Sequence, residues 1–112
     1  MESSILTSTK KILNLAPDYT VFDSQITAYI NSAFSTLNQM DLGATEGFSI
    51  TGYAETWANY TLDSSKINAI KNFVFLKVRL LFDPPQSSFH IQMLETQLSQ
   101  VEWRLSILEN PT

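Results

Sequence analysis

The stretch from Asp63 to Asp83, DSSKINAIKNFVFLKVRLLFD, decides how the rest of the chain must fold. Its residues Ile67, Ile70, Val74, Val78 and Leu81 recur at three- and four-residue steps, the spacing of one face of an α-helix. Phe73, Phe75, Leu76, Leu80 and Phe82 project from the other sides, and only Asn68, Asn72 and Arg79 form a thin polar stripe, with Lys66 and Lys77 elsewhere. A helix this apolar must be enclosed on several sides. In so short a chain the cover has to come from a compact bundle, a neighbouring copy, or both.

Working outward toward the C-terminus, Pro84 and Pro85 end this helix: neither offers an amide hydrogen, and the first disfavours helical backbone at Asp83. Ser87 is the expected N-cap of the last helix, with Asp83 and Gln86 as an alternative capping box. That helix, running to about Glu109, carries the most informative pattern. Ile91, Leu94, Leu98, Val101, Leu105 and Leu108 keep an alternating three-four spacing, a seam of coiled-coil type. About 200° around the helix lie Phe89, Met93, Thr96, Gln100, Trp103 and Ile107. A helix apolar on two opposite sides wants two partners. The central helix supplies one; the other is either a second subunit or the N-terminal helix of the same chain.

Toward the N-terminus, Ser3 or Ser4 caps a first helix that runs to about Asn14, with Ile5, Thr9, Ile12 and Leu13 on one side and Lys10 and Lys11 near its C-terminal end, where cations are favoured. Pro17 is expected to stop it. Asp23 is expected as the N-cap of a second, amphipathic helix from about Ser24 to Met40, with Ile26, Tyr29, Ile30, Ala33, Leu37 and Met40 in register and Gly43 just past its end. From Leu42 to Tyr60 the periodicity breaks. All three glycines, Gly43, Gly47 and Gly52, fall here among Phe48, Ile50, Tyr53, Trp57 and Tyr60. Phe48, Ile50 and Tyr53 suggest a short strand or hairpin. A loop this long in a small domain is more often functional than idle; the plainer alternative is an aromatic loop folded back on its own bundle. Thr61 or Asp63 then caps the central helix.

Length and composition narrow the function classes. The 112 residues fit one domain, residues 1–112, large enough for its own core. Hydrophobic residues make up 44% and charged residues 16%, so part of the surface is available as interface. A net charge of -4 without a basic cluster argues against holding nucleic acid by phosphate neutralisation. There is no cysteine for a disulfide, a thiol nucleophile or a thiolate metal site. The N-terminus is not of secretory type, and no run approaches the roughly 18 apolar residues of a membrane span, so the expectation is a soluble protein made in the cytoplasm, with no membrane partner.

Chemistry is hard to find. His90 is the single histidine and sits between Phe89 and Ile91 without a second metal ligand. Asp18, Asp23, Asp41, Glu46, Glu55 and Asp63 are scattered over caps and loops, and no spacing brings two carboxylates together for acid-base work. No phosphate-binding glycine loop occurs, because none of the glycines is followed by Lys-Ser or Lys-Thr. Glu102 and Arg104 flank Trp103 as a solvated or interfacial pair, the arginine suited to bidentate contact with a carboxylate. The expectation is therefore no enzyme, no cofactor and no metal.

Several stretches taken in order resemble the head-tail connector or adaptor family of long-tailed bacteriophages. They are ILTSTKKILNLAPDYTVFDSQITAYINSAFSTLNQMDLG from Ile5 to Gly43, EGFSITGY from Glu46 to Tyr53, KVRLLFDPP from Lys77 to Pro85, and VEWRL from Val101 to Leu105. The resemblance implies an all-α protein of about four helices that assembles into a homo-oligomeric ring, commonly twelvefold, beneath the capsid portal. Such a ring extends the DNA channel, lets DNA pass without sequence-specific binding, and presents a surface to the next neck or tail protein, which places the chain in the virion neck. Under this reading Phe89, Met93, Trp103, Arg104 and Ile107 contribute subunit contacts, and Phe48, Ile50 and Trp57 belong to a loop reaching a portal or tail partner. The alternative from another class is a small helical regulatory module that binds a host protein or nucleic acid.

Overall fold

The structure, a computed structural model, describes residues 4–39, 48–60 and 64–109. Among them are five helices, α1 (Ile5–Ile12), α2 (Asp23–Gln39), α3 (Trp57–Tyr60), α4 (Ser64–Phe82) and α5 (Ser88–Glu109), and no strand. The expected all-α bundle is what forms, with α3 a single turn inside the aromatic loop. The expected signals at Gly43, Thr61 and Asp63 lie outside the described residues, as does the side chain of Leu108.

The central helix is α4. It packs on α5 along one side and on α2 along another, while α1 touches both α2 and α4. Ile70, Phe73, Val74 and Val78 are buried, and Ile67, Phe75, Leu76, Leu80 and Phe82 pack partly covered around them, so this helix is enclosed as its composition demands. Leu81, in its last turn, departs from that pattern and is exposed. The molecule measures 44 × 36 × 21 Å. Its shortest dimension is about two helix diameters, so a helix at the edge of the slab has a neighbour on only one side. That helix is α5.

Local chemistry sets the helix ends. Ser4 caps α1, its Oγ accepting from the Thr7 amide at 3.2 Å. The helix ends at Ile12, earlier than Pro17 could stop it. Asn14 takes a positive φ of 63°, and the amides of Asn14 and Leu15 reach back to the Lys11 and Lys10 carbonyls at 3.1 and 2.9 Å. This is a Schellman-type end with asparagine in the left-handed position usually taken by glycine. At α5 the Ser87 cap is as expected: its Oγ accepts from the amides of Phe89 and His90 at 3.2 and 3.4 Å.

The loop does not form the expected hairpin over Phe48, Ile50 and Tyr53. It is fastened to the bundle instead, because several of its side chains and amides find better partners on α1 and α2. Asn31 uses both ends of its amide on one residue: its Oδ1 accepts from the Ile50 N–H at 2.7 Å, and its Nδ2 donates to the Ile50 carbonyl at 3.0 Å. The Ile5 amide donates to the Glu55 carbonyl at 3.1 Å beside an isolated antiparallel bridge between Ser4 and Thr56. Phe34, Phe48 and Tyr60 then stack within 4.7–5.0 Å of one another, and Trp57 meets Phe75 edge-on at 5.7 Å.

Candidate functional site

Two features outside the plain core could carry function, a buried polar node and an exposed apolar face. The node gathers four parts of the chain. Lys10 is fully buried; its Nζ donates to the Pro17 carbonyl at 3.0 Å and to the Tyr53 hydroxyl at 2.6 Å, and pairs with Asp23 Oδ1 at 2.8 Å. The Tyr53 hydroxyl donates in turn to Asp23 Oδ2. Asp23, expected as an amide-accepting cap, is thus engaged in an ion pair, and Lys10 stands in the last turn of α1 as expected but points inward to that pair. A buried ammonium needs as many acceptors as it has N–H groups, and the connector carbonyl, the α2 carboxylate and the loop hydroxyl supply three.

Burial pulls the Lys10 pKa down, but the hydrogen bonds to Asp23 and Tyr53, with the carboxylate charge, more than offset it and the net shift is upward. Burial likewise favours the neutral form of Asp23, and the bonds from Lys10 and Tyr53 outweigh it to hold this carboxyl below its usual range. Glu55 is also lowered, chiefly by the Thr51 amide, with further help from the Thr51 hydroxyl and the Gly52 amide. Both carboxylates are shifted away from the range that suits a general acid or base near neutrality and are committed to structural bonds. Among the described residues no group of three or more His, Asp or Glu side chains is placed to hold a metal ion. Nor does any described helix have the length and apolarity to cross a membrane.

The apolar face lies on α5. Leu98, Val101 and Leu105 are buried against α4, and Ile91 and Leu94 are half-covered, so the seam faces inward. On the opposite side Phe89 is 64% exposed, Met93 45%, Trp103 68% and Ile107 43%. The N-terminal helix does not cover them. Arg104 is exposed on one shoulder of this stripe, while the half-buried Glu102 lies about 100° around the helix from Trp103, toward the inward seam. Gln92, Thr96, Gln97 and Gln100 complete the surface with uncharged polar groups. From the exposures and typical aromatic areas, the four apolar side chains present on the order of 400 Å² to solvent, the size of the largest patch on an ordinary monomer, which is often functional.

The loop residues fare differently. Ile50 is 2% exposed and Trp57 4%, the latter donating from Nε1 to Ser8 Oγ at 3.3 Å, and Phe48 packs between Phe34 and Tyr60. Their apolar surface is occupied inside the subunit, so the structure separates them from the α5 residues with which the sequence grouped them. Conversely, Ile12, expected on the apolar side of the first helix, is exposed, as are Tyr19 and Val21 on the connector after it, which the sequence pattern did not single out. Val21 in the run DYTVF was the available signal, a β-branched apolar residue beside a helix cap with no periodic partner.

The cations do not form one basic face. On α4, at about 100° per residue, Lys66 and Lys77 fall close together, but Lys71 and Arg79 turn well away from them, and Lys71 lies over the Trp57 ring at 5.7 Å. A nucleic-acid groove needs its cations aligned, which these are not.

No curated protein and no solved structure matches the chain. Residues 5–112 match the family described as phage connector protein. The match takes in every described helix. The chain belongs to the phage connector protein family and is a structural connector of the bacteriophage virion.

Proposed function

We propose that the protein is a ring-forming adaptor of the phage neck, joining the capsid portal to the tail or the next neck protein and extending the DNA channel between them. The observation that carries this reading is the bare apolar stripe of α5, formed by Phe89, Met93, Trp103 and Ile107 opposite a well-buried seam. Repeated copies that cover this stripe by contact with one another form a closed assembly when the rotation between neighbours completes a circle. Twelve copies is the number the family resemblance implies. A stable contact takes about 800 Å² from each partner, so the stripe would supply about half, and Arg104 with the flanking glutamines the polar rim.

An acidic chain suits a conduit, since a net charge of -4 repels a phosphate backbone rather than retaining it. Phe48, Ile50 and Trp57 act indirectly in this reading, by fixing the loop and the α1 surface beneath it. The test is light scattering of the purified protein at several concentrations, with and without assembled portal particles. Multi-copy binding to portal supports the adaptor; a protein that stays monomeric in the presence of portal particles refutes it.

A further inference from the structure

Among the described residues nine large hydrophobic side chains are exposed, and they do not lie on α5 alone. A groove between α1 and α4 is lined by Ser8, Lys11, Ile12, Asn14, Lys71 and Phe75. Its walls come from two different helices and the left-handed turn at Asn14, unlike the shallow surface on α5, whose lining residues all belong to that one helix. The half-exposed side chain of Ile12 gives the groove an apolar wall, and Lys11 and Lys71 stand one on each helix.

We propose that the outward face of α5 of one copy docks into the α1–α4 groove of a second copy, with Trp103 as the inserted side chain. This rests on the ring reading and names the two surfaces that meet. Charge complementarity selects the groove as the partner. Lys11 and Lys71 are the charged residues that line the groove, and no acidic residue lies on α1 or α4 to offset them. On α5 the balance is reversed, with Glu95, Glu102 and Glu109 against Arg104. Glu95 and Glu102 are two turns apart on the side of Trp103 away from Arg104, about 80° and 100° around the helix from the indole, so docking centred on Trp103 would bring them toward Lys11 and Lys71 while the exposed indole fills the space between the helices. Trp is the side chain most often found at the energetic centre of an interface, and lysines beside its ring add cation–π attraction.

Self-pairing of α5 is disfavoured by the same charges. An antiparallel α5 pair centred on the stripe, near Leu98, would set Glu95 of each copy against Glu102 of the other, like charge on like. A contact between two different surfaces also leaves each copy with one free knob and one free groove, which is what allows it to propagate around a ring.

The experiment is zero-length carbodiimide cross-linking of the full chain assembled on portal particles, from an equal mixture of isotopically light and heavy protein, read by peptide mass spectrometry. Mixed-isotope links from Glu95 or Glu102 to Lys11 or Lys71 are expected. Assembled protein whose intermolecular links fall elsewhere, or join α5 to α5, overturns the docking but leaves the ring reading intact; failure to assemble on portal overturns both. In parallel, the Glu95→Lys/Glu102→Lys variant and the Lys11→Glu/Lys71→Glu variant, each checked by thermal melting, are expected to bind neighbours at least tenfold more weakly, and the combined charge-swapped chain to regain most of the loss. Absence of that recovery in a folded, charge-swapped chain counts against the proposal.

Discussion

Replacing Leu105 and Trp103 separately by alanine should divide folding from assembly, although the two residues are two positions apart on one helix. Leu105 is fully buried against α4. Its truncation removes the transfer energy of the side chain and leaves a cavity, a cost of about 2–5 kcal/mol. With an unfolding entropy of about 2.1 cal/mol/K per residue, the chain should lose roughly 8–20 °C in Tm. Trp103 has only about a third of its surface covered in the subunit. At about 25 cal/mol per Å², less the better helix propensity of alanine, Trp103→Ala should cost about 1 kcal/mol of subunit stability, or about 4 °C. The exposed two thirds of the ring, once covered by a neighbour, should contribute about 2–4 kcal/mol. Trp103→Ala should therefore weaken assembly by roughly 30- to 1000-fold. Circular dichroism melts of the free chain and sedimentation with portal particles measure the two quantities independently. If Trp103→Ala melts the subunit as severely as Leu105→Ala, the inner and outer faces of α5 are assigned the wrong way round.

Other outcomes follow from the same structure. Asp23→Asn leaves the buried Lys10 ammonium without its anionic partner and should cost about 1.5–3 kcal/mol at neutral pH. Because the folded Asp23 pKa is lowered, the stability it adds is complete above the usual carboxylate range and is lost as pH falls through the lowered value; the gap between wild type and Asp23→Asn, read from urea melts, should close on acidification. The raised pKa of Lys10 works at the other end, holding stability below the usual lysine range and losing it as pH rises through the raised value. Asn31→Ala removes both bonds to the Ile50 backbone and should raise amide exchange at Ile50 far more than at Val74. Ser87→Ala should cost about 0.5–2 kcal/mol by uncapping α5, seen as a lower urea midpoint with an unchanged slope.

The parts of this molecule that the sequence discloses are those whose pattern is local. Leu94, Leu98, Val101 and Leu105 declare a helix face by spacing alone, and Ser87 declares a cap because the cap's partners are two and three residues away. Which face of α5 turns inward was also readable, since the aliphatic seam is the more regular of the two. What could not be read depends on distant partners. Lys10 looks like a surface lysine until Tyr53, 43 residues further on, is brought beside it. The pairing of Asn31 with Ile50 likewise spans 19 residues and converts an apparent strand into a fastened loop. The end of α1 was expected at about Asn14, close to where it falls, but its stop was assigned to the wrong residue: Pro17 is the conspicuous breaker, yet asparagine can take the left-handed turn itself, and Asn14 does so three residues earlier. At the candidate surface, Trp103 and its neighbours were visible as a second stripe, whereas the groove holding Lys11 and Lys71 is made only when α1 and α4 pack together.

Hydroxyl-radical footprinting of the free chain and of portal-assembled particles, read peptide by peptide, tests most directly whether the outward side of α5 is where copies meet. In the free chain Trp103, Met93 and Phe89 should oxidise readily and Trp57, buried against Phe75, should not. Assembly should protect Trp103 and Met93 down toward the level of Trp57. Oxidation of Trp103 at the same rate in assembled particles as in the free chain would contradict the account.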